Sequence, residues 1–160
     1  MATLDDYREV LERFVGADVP WETPVRYSPL IAALGYPRSF ALVGPGSQLG
    51  ELGHFIPGEG IVVRRRNLNT AAGMALLVHE AQHAVDAEQF PGGPERFVEE
   101  YKRLEALRQR QGLPVWMHPM EFPNYVRECS AWHTLVAEGW PPGDWLPLGV
   151  SEDLCGATSV

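Results

Sequence analysis

Residues 69–90 read NTAAGMALLVHEAQHAVDAEQF, and the rest of the chain arranges itself around them. Thr70 or Asn69 is placed to cap a helix, and Met74, Leu77, Val78, Ala81 and Val85 recur at helical spacing. Phe90-Pro91-Gly92-Gly93 stops the pattern, so the spacing predicts a helix from Ala71 to about Glu88. Alanine, leucine and valine crowd this helix on most sides, which predicts burial nearly all round.

Downstream, Pro94 opens a second long helix to Arg110, with Phe97, Tyr101, Leu104 and Leu107 on its apolar side and Gly112 as its stop. Pro114, Pro119 and Pro123 mark a turn region. A further helix is predicted from roughly Asn124 to Glu138, ended by Gly139. Upstream, Gly60-Ile61-Val62-Val63-Arg64 and Ser39-Phe40-Ala41-Leu42-Val43 read as strands. Between them Gly44, Pro45, Gly46, Gly50, Gly53, Pro57, Gly58 and Gly60 predict no regular structure. Thr3 to Val15 reads as an amphipathic helix, and Ser28 to Gly35 as a short one inside an otherwise irregular 17–38. The expected fold is a mostly helical α+β domain with a small antiparallel sheet beside the 71–88 helix. One domain covers 1–160, with its core over about 39–139 and an irregular Pro/Gly-rich tail at 140–160. Trp140, Trp145 and Leu146 predict that part of the tail packs.

The chain has 160 residues, enough to bury a core without disulfide staples, and a formal charge of −8. An acidic chain with a pI near 5.1 argues against a nucleic-acid or anionic-membrane binder. Its two cysteines, Cys129 and Cys155, make no disulfide framework, and Cys129 is expected as a small packing residue. No basic segment followed by an apolar run opens the chain, and the longest apolar run, Met74 to Val78, is far too short to span a bilayer. A cytoplasmic protein with no membrane partner is the expectation.

His79-Glu80-Ala81-Gln82-His83 is an HExxH pentapeptide inside the strongest helical pattern. Histidines at i and i+4 share one helix face, so both imidazoles reach one metal ion. The glutamate after the first histidine flanks that ion and can take a proton from its water. Shuffling a chain with this histidine and glutamate content yields HExxH in roughly 1–2% of cases, so chance is a poor account of it. Zinc suits two nitrogens and a carboxylate, with the fourth position left for water.

The third ligand lies elsewhere, because the HExxHxxGxxH continuation is absent: Asp86 and Gln89 stand at its glycine and third-histidine positions. Candidates are Glu121, Glu128, His118 and His133. Glu121 and Glu128 are two helical turns apart, but Pro123 opposes a helix containing both. Asp86 is placed to hydrogen-bond a ligand histidine.

HEAQH with a later glutamate resembles the gluzincin group of zinc metallopeptidases. More closely, residues 60–86, GIVVRRRNLNTAAGMALLVHEAQHAVD, resemble small bacterial and phage zincin-like proteins, in which a short edge strand leads into the HExxH helix. His118-Pro119-Met120-Glu121-Phe122-Pro123-Asn124-Tyr125, followed by Glu128, is similar to the segment that carries their third ligand. The resemblance implies a minimal zincin in which His79, His83 and Glu121 (alternatively Glu128) hold zinc. Glu80 would then assist attack of zinc-bound water on a peptide bond, with a peptide or protein as substrate. It also implies that Ile61-Val62-Val63 runs along the cleft rim. Tyr101, Tyr125 and His133 are candidates to donate to the oxyanion. Arg64-Arg65-Arg66 reads as a solvated run, and the tryptophans as core or tail anchors. The rival reading is a non-catalytic zincin-like scaffold that binds another protein.

Overall fold

The computed structural model describes residues 2–27, 53–63 and 68–143. In chain order these form β1 (Ala2–Thr3), a 3₁₀ turn (Leu4–Tyr7), α1 (Arg8–Phe14), β2 (Pro24–Tyr27), β3 (Gly53–Ile56) and β4 (Gly60–Val63). Then come α2 (Ala71–Gln89), α3 (Pro94–Arg110), a 3₁₀ turn (Val115–Met117) and α4 (Phe122–Ala137). The class is α+β, as expected. The predicted strand at 39–43, the short helix at 28–35, Arg64-Arg65-Arg66 and the tail from 144 lie outside the described residues.

α2 is the axle of the fold. It packs against α4, α3, α1 and the β3–β4 pair, which is why apolar residues surround it. The first N–H groups of a helix lack partners within it, and here each finds one. Thr70 Oγ1 accepts from Gly73 N–H at 3.2 Å. Ala71 N–H donates to Pro141 O at 2.8 Å and Ala72 N–H to Pro142 O at 3.0 Å. Trp132 Nε1–H also donates to Pro142 O, at 3.1 Å, so the segment after α4 straps the end of that helix to the start of α2. Thr70→Ala is expected to lower the unfolding free energy by about 1 kcal/mol with an unchanged m-value in urea.

The sheet has the order β1-β2-β4-β3, and it is mixed, which corrects the antiparallel expectation. β1 with β2 and β3 with β4 are antiparallel, but β2 and β4 run parallel, Val25 opposite Ile61. The chain between β2 and β4 is long enough for the crossover that parallel pairing requires. Two of these strands arise where irregular chain was predicted. β2 begins at a proline, and β3 sits inside the glycine-rich run. Gly60 explains one of those glycines: at φ +108° it lies beside Pro24, whose carbonyl oxygen would be 2.5 Å from any Cβ there.

β4 is bonded on both sides, so it is not the rim strand that the resemblance implied. The outer position belongs to β3, which has no second neighbour among the described residues. The core starts before residue 39, since Leu4, Leu11 and Val25 are buried with Ile61, Val63, Met74, Leu77, Val78 and Leu135. Trp140 packs against it, as the tail reading anticipated. Cys129 is disulfide-bonded rather than a free packing thiol. No helix of the described residues is long and apolar enough to cross a membrane.

Candidate metal centre

The i,i+4 spacing on α2 stacks His79 and His83 with ring centroids 5.0 Å apart, both buried. The turn before α4 brings the third group to them. His118 O accepts from Glu121 N–H and from Phe122 N–H, each at 2.9 Å, and the helix starts at Phe122 with Glu121 as its N-cap. Pro123 falls within the first turn, where a missing N–H leaves no helix bond unmade, so the expected obstacle to a shared helix is absent. Glu121, Asn124 and Glu128 therefore line one face of α4 towards α2.

Glu121 Oε2 lies 2.8 Å from His79 Nε2 and 3.1 Å from His83 Nε2. Every other polar atom of these three side chains has its own neighbour. His79 Nδ1 donates to Glu128 Oε2 at 2.9 Å, and the Asn124 amide faces His83 Nδ1 at 3.1 Å. Glu121 Oε1 accepts from the Tyr101 hydroxyl, which α3 supplies. One ligand atom from each of His79, His83 and Glu121 lies within 4.8 Å of the others, and this buried group could hold a metal ion.

The electrostatics follow from that packing. Burial opposes a charge on His79, but hydrogen bonds to Glu121 and Glu128 outweigh it and lift its pKa well above the usual value. His83 is raised too, its burial being offset by the Glu121 charge. Burial alone would raise Glu121, yet the adjacent His83 and His79 hold it well below the ordinary carboxylate range. Glu80, on the same helix, has its pKa pushed up to about 7, chiefly by burial. Burial and the Glu121 charge keep Tyr101 a neutral donor, its pKa well above 10.0. Glu80, Glu121 and Glu128 are all buried with the two histidines.

The donor set is two imidazole nitrogens and one carboxylate oxygen, and the remaining polar atoms of the three side chains each have a neighbour of their own. Of the two glutamates left open by the sequence, Glu121 joins the pair and Glu128 holds the far nitrogen of His79. His118 stands behind Tyr101, its Nε2–H donating to Tyr101 O at 3.0 Å. His133 is exposed with its ring against Trp132, away from the cluster. Tyr125 sets its ring edgewise on His79 at 4.6 Å. Asp86 accepts from Gln82 Nε2 at 2.8 Å rather than from a ligand histidine. Asn124 is the residue that sequence reasoning missed, because it was read as the start of a helix and not as a partner of the histidines; its i+3 spacing from Glu121 was the available signal. No family model, curated protein or solved structure matches the chain.

Proposed function

We propose that the chain is a zinc-dependent metallopeptidase, with His79, His83 and Glu121 holding the metal and Glu80 as general base. The observation that carries this reading is the convergence of both histidine Nε2 atoms on Glu121 Oε2, with Glu80 buried on the same helix. Zinc bound there supplies a Lewis acid that acidifies water and polarises a substrate carbonyl.

The chain's own residues do the rest. Glu80, with a pKa about 7, is poised at neutral pH to take a proton from water and return it to the leaving amine. Glu128 keeps the His79 proton on Nδ1 and so frees Nε2, while the Asn124 amide nitrogen lies 3.1 Å from His83 Nδ1 and fixes the orientation of that ring. Tyr101's hydroxyl is taken by Glu121, which removes it as an oxyanion donor. β3, the outer strand among the described residues and packed on α2, is the strand that would offer backbone groups to an extended peptide.

Elemental analysis tests the premise. Wild-type protein is expected to carry one zinc per chain, lost in His83→Ala and in Glu121→Ala but only weakened in Glu128→Ala. No metal after incubation with zinc would sink the hydrolase reading and leave a protein-binding scaffold. Equal loss in both glutamate variants would sink the assignment of Glu121.

A further inference from the structure

Tyr101 is buried on α3, and its hydroxyl gives its hydrogen to one oxygen of Glu121 while the other oxygen alone faces the two histidines. A carboxylate can engage a metal ion through one oxygen or both, and a hydrogen bond on Oε1 biases it to one. Behind Tyr101, the His118 ring stacks on it at 4.1 Å and 24°. His118 uses both ring nitrogens in doing so. Its Nε2–H donates to Tyr101 O at 3.0 Å, and its Nδ1 accepts from Met120 N–H at 3.0 Å, which fixes one tautomer. The carbonyl of the same residue accepts from Glu121 and Phe122 N–H. His118 is fully buried.

We propose that Tyr101 is a positioning residue that presents a single oxygen of Glu121 to the metal, with His118 clamping it in place. This assignment rests on the metal centre proposed above. By occupying Oε1 it leaves coordination positions open for water and a substrate carbonyl, which a two-oxygen grip would fill. It also explains why a tyrosine, rather than another apolar residue, stands on the buried face of α3 opposite Glu121.

The full chain loaded with Co²⁺ in place of zinc tests this, because visible absorption of cobalt reports coordination number and geometry. Tyr101→Phe keeps the ring and removes only the hydroxyl. The expected result is a change in band position and intensity, with Co²⁺ and Zn²⁺ dissociation constants raised about 10–100-fold and an unchanged far-ultraviolet circular dichroism spectrum. His118→Phe keeps a stacked ring and gives up both ring hydrogen bonds; it is expected to shift the spectrum the same way by less, and it serves alone should Tyr101→Phe fail to fold. A cobalt spectrum and affinity unchanged in the folded variants, with only the melting temperature lowered, would make Tyr101 an ordinary core residue and overturn the assignment alone. Absence of any cobalt absorption in the wild type would overturn the metal centre and this assignment with it.

Discussion

Glu80→Gln is expected to cut hydrolysis of any peptide that the wild type cleaves by about 10²–10⁴-fold, while zinc content stays at one per chain. Glutamine keeps the volume and loses the ability to accept a proton, and position 80 is not among the grouped ligand atoms. The same substitution has a second, opposite effect on stability. Glu80 binds its proton more tightly folded than unfolded, its pKa moving from 4.5 to about 7. Its stabilising contribution is therefore complete below pH 4.5 and lost as pH rises through about 7. Above that, the buried carboxylate costs on the order of 3 kcal/mol, which a neutral glutamine does not incur. Urea denaturation of chelator-stripped protein at pH 8 should find the variant more stable than the wild type, with the difference vanishing by pH 4.5. A variant that retains the wild-type rate removes the general base. Equal stability at both pH values would mean that the carboxyl is not desolvated.

The parts of this fold that were legible in the sequence are those decided within a few residues. Thr70 as a cap, the Pro94 start of α3, and the i,i+4 pair of histidines depend on local geometry, and each stands where its neighbours required. The sheet is different. β2 and β3 are four residues each, set among prolines and glycines, and what makes them strands is pairing with β4, parallel for β2 and antiparallel for β3. The β2–β4 pairing is non-local and leaves no period in the sequence, so the interior position of β4 was invisible as well. At the site, the choice between Glu121 and Glu128 turned on whether α4 could begin at Phe122. Pro123 read as an obstacle because its position in the turn was unknown. Once it lies in the first turn, Glu121, Asn124 and Glu128 share a face, and the two glutamates meet opposite nitrogens of His79, Glu121 alone reaching His83 as well, which separates their roles.

Zinc affinity is expected to rise by a factor of about 10 to 100 per pH unit through the range below the raised pKa of His79. His79 lies between Glu121 and Glu128, and both of those oxygens accept, so both of its nitrogens carry protons in the stripped protein. Burial opposes that charge, but the two hydrogen bonds more than offset it. Binding must expel the Nε2 proton of His79, and that of His83 in whatever fraction is charged, so one to two protons leave per ion. Stability shows the same linkage in reverse. His79 and His83, raised above 6.5, contribute stability that is present below 6.5 and lost as pH climbs through their folded values. Glu121, lowered from 4.5, contributes stability that is present above 4.5 and lost on acidification. The stripped cluster is thus most stabilising between 4.5 and 6.5, where protons compete with the metal more strongly than they do at pH 8. Saturating zinc should raise the melting temperature more at pH 8 than at pH 6, and calorimetry in buffers of different ionisation enthalpy should count the released protons. A pH-independent affinity, or a stripped protein most stable at pH 8, would mean that these histidines are neutral and the carboxylates do not hold them as described.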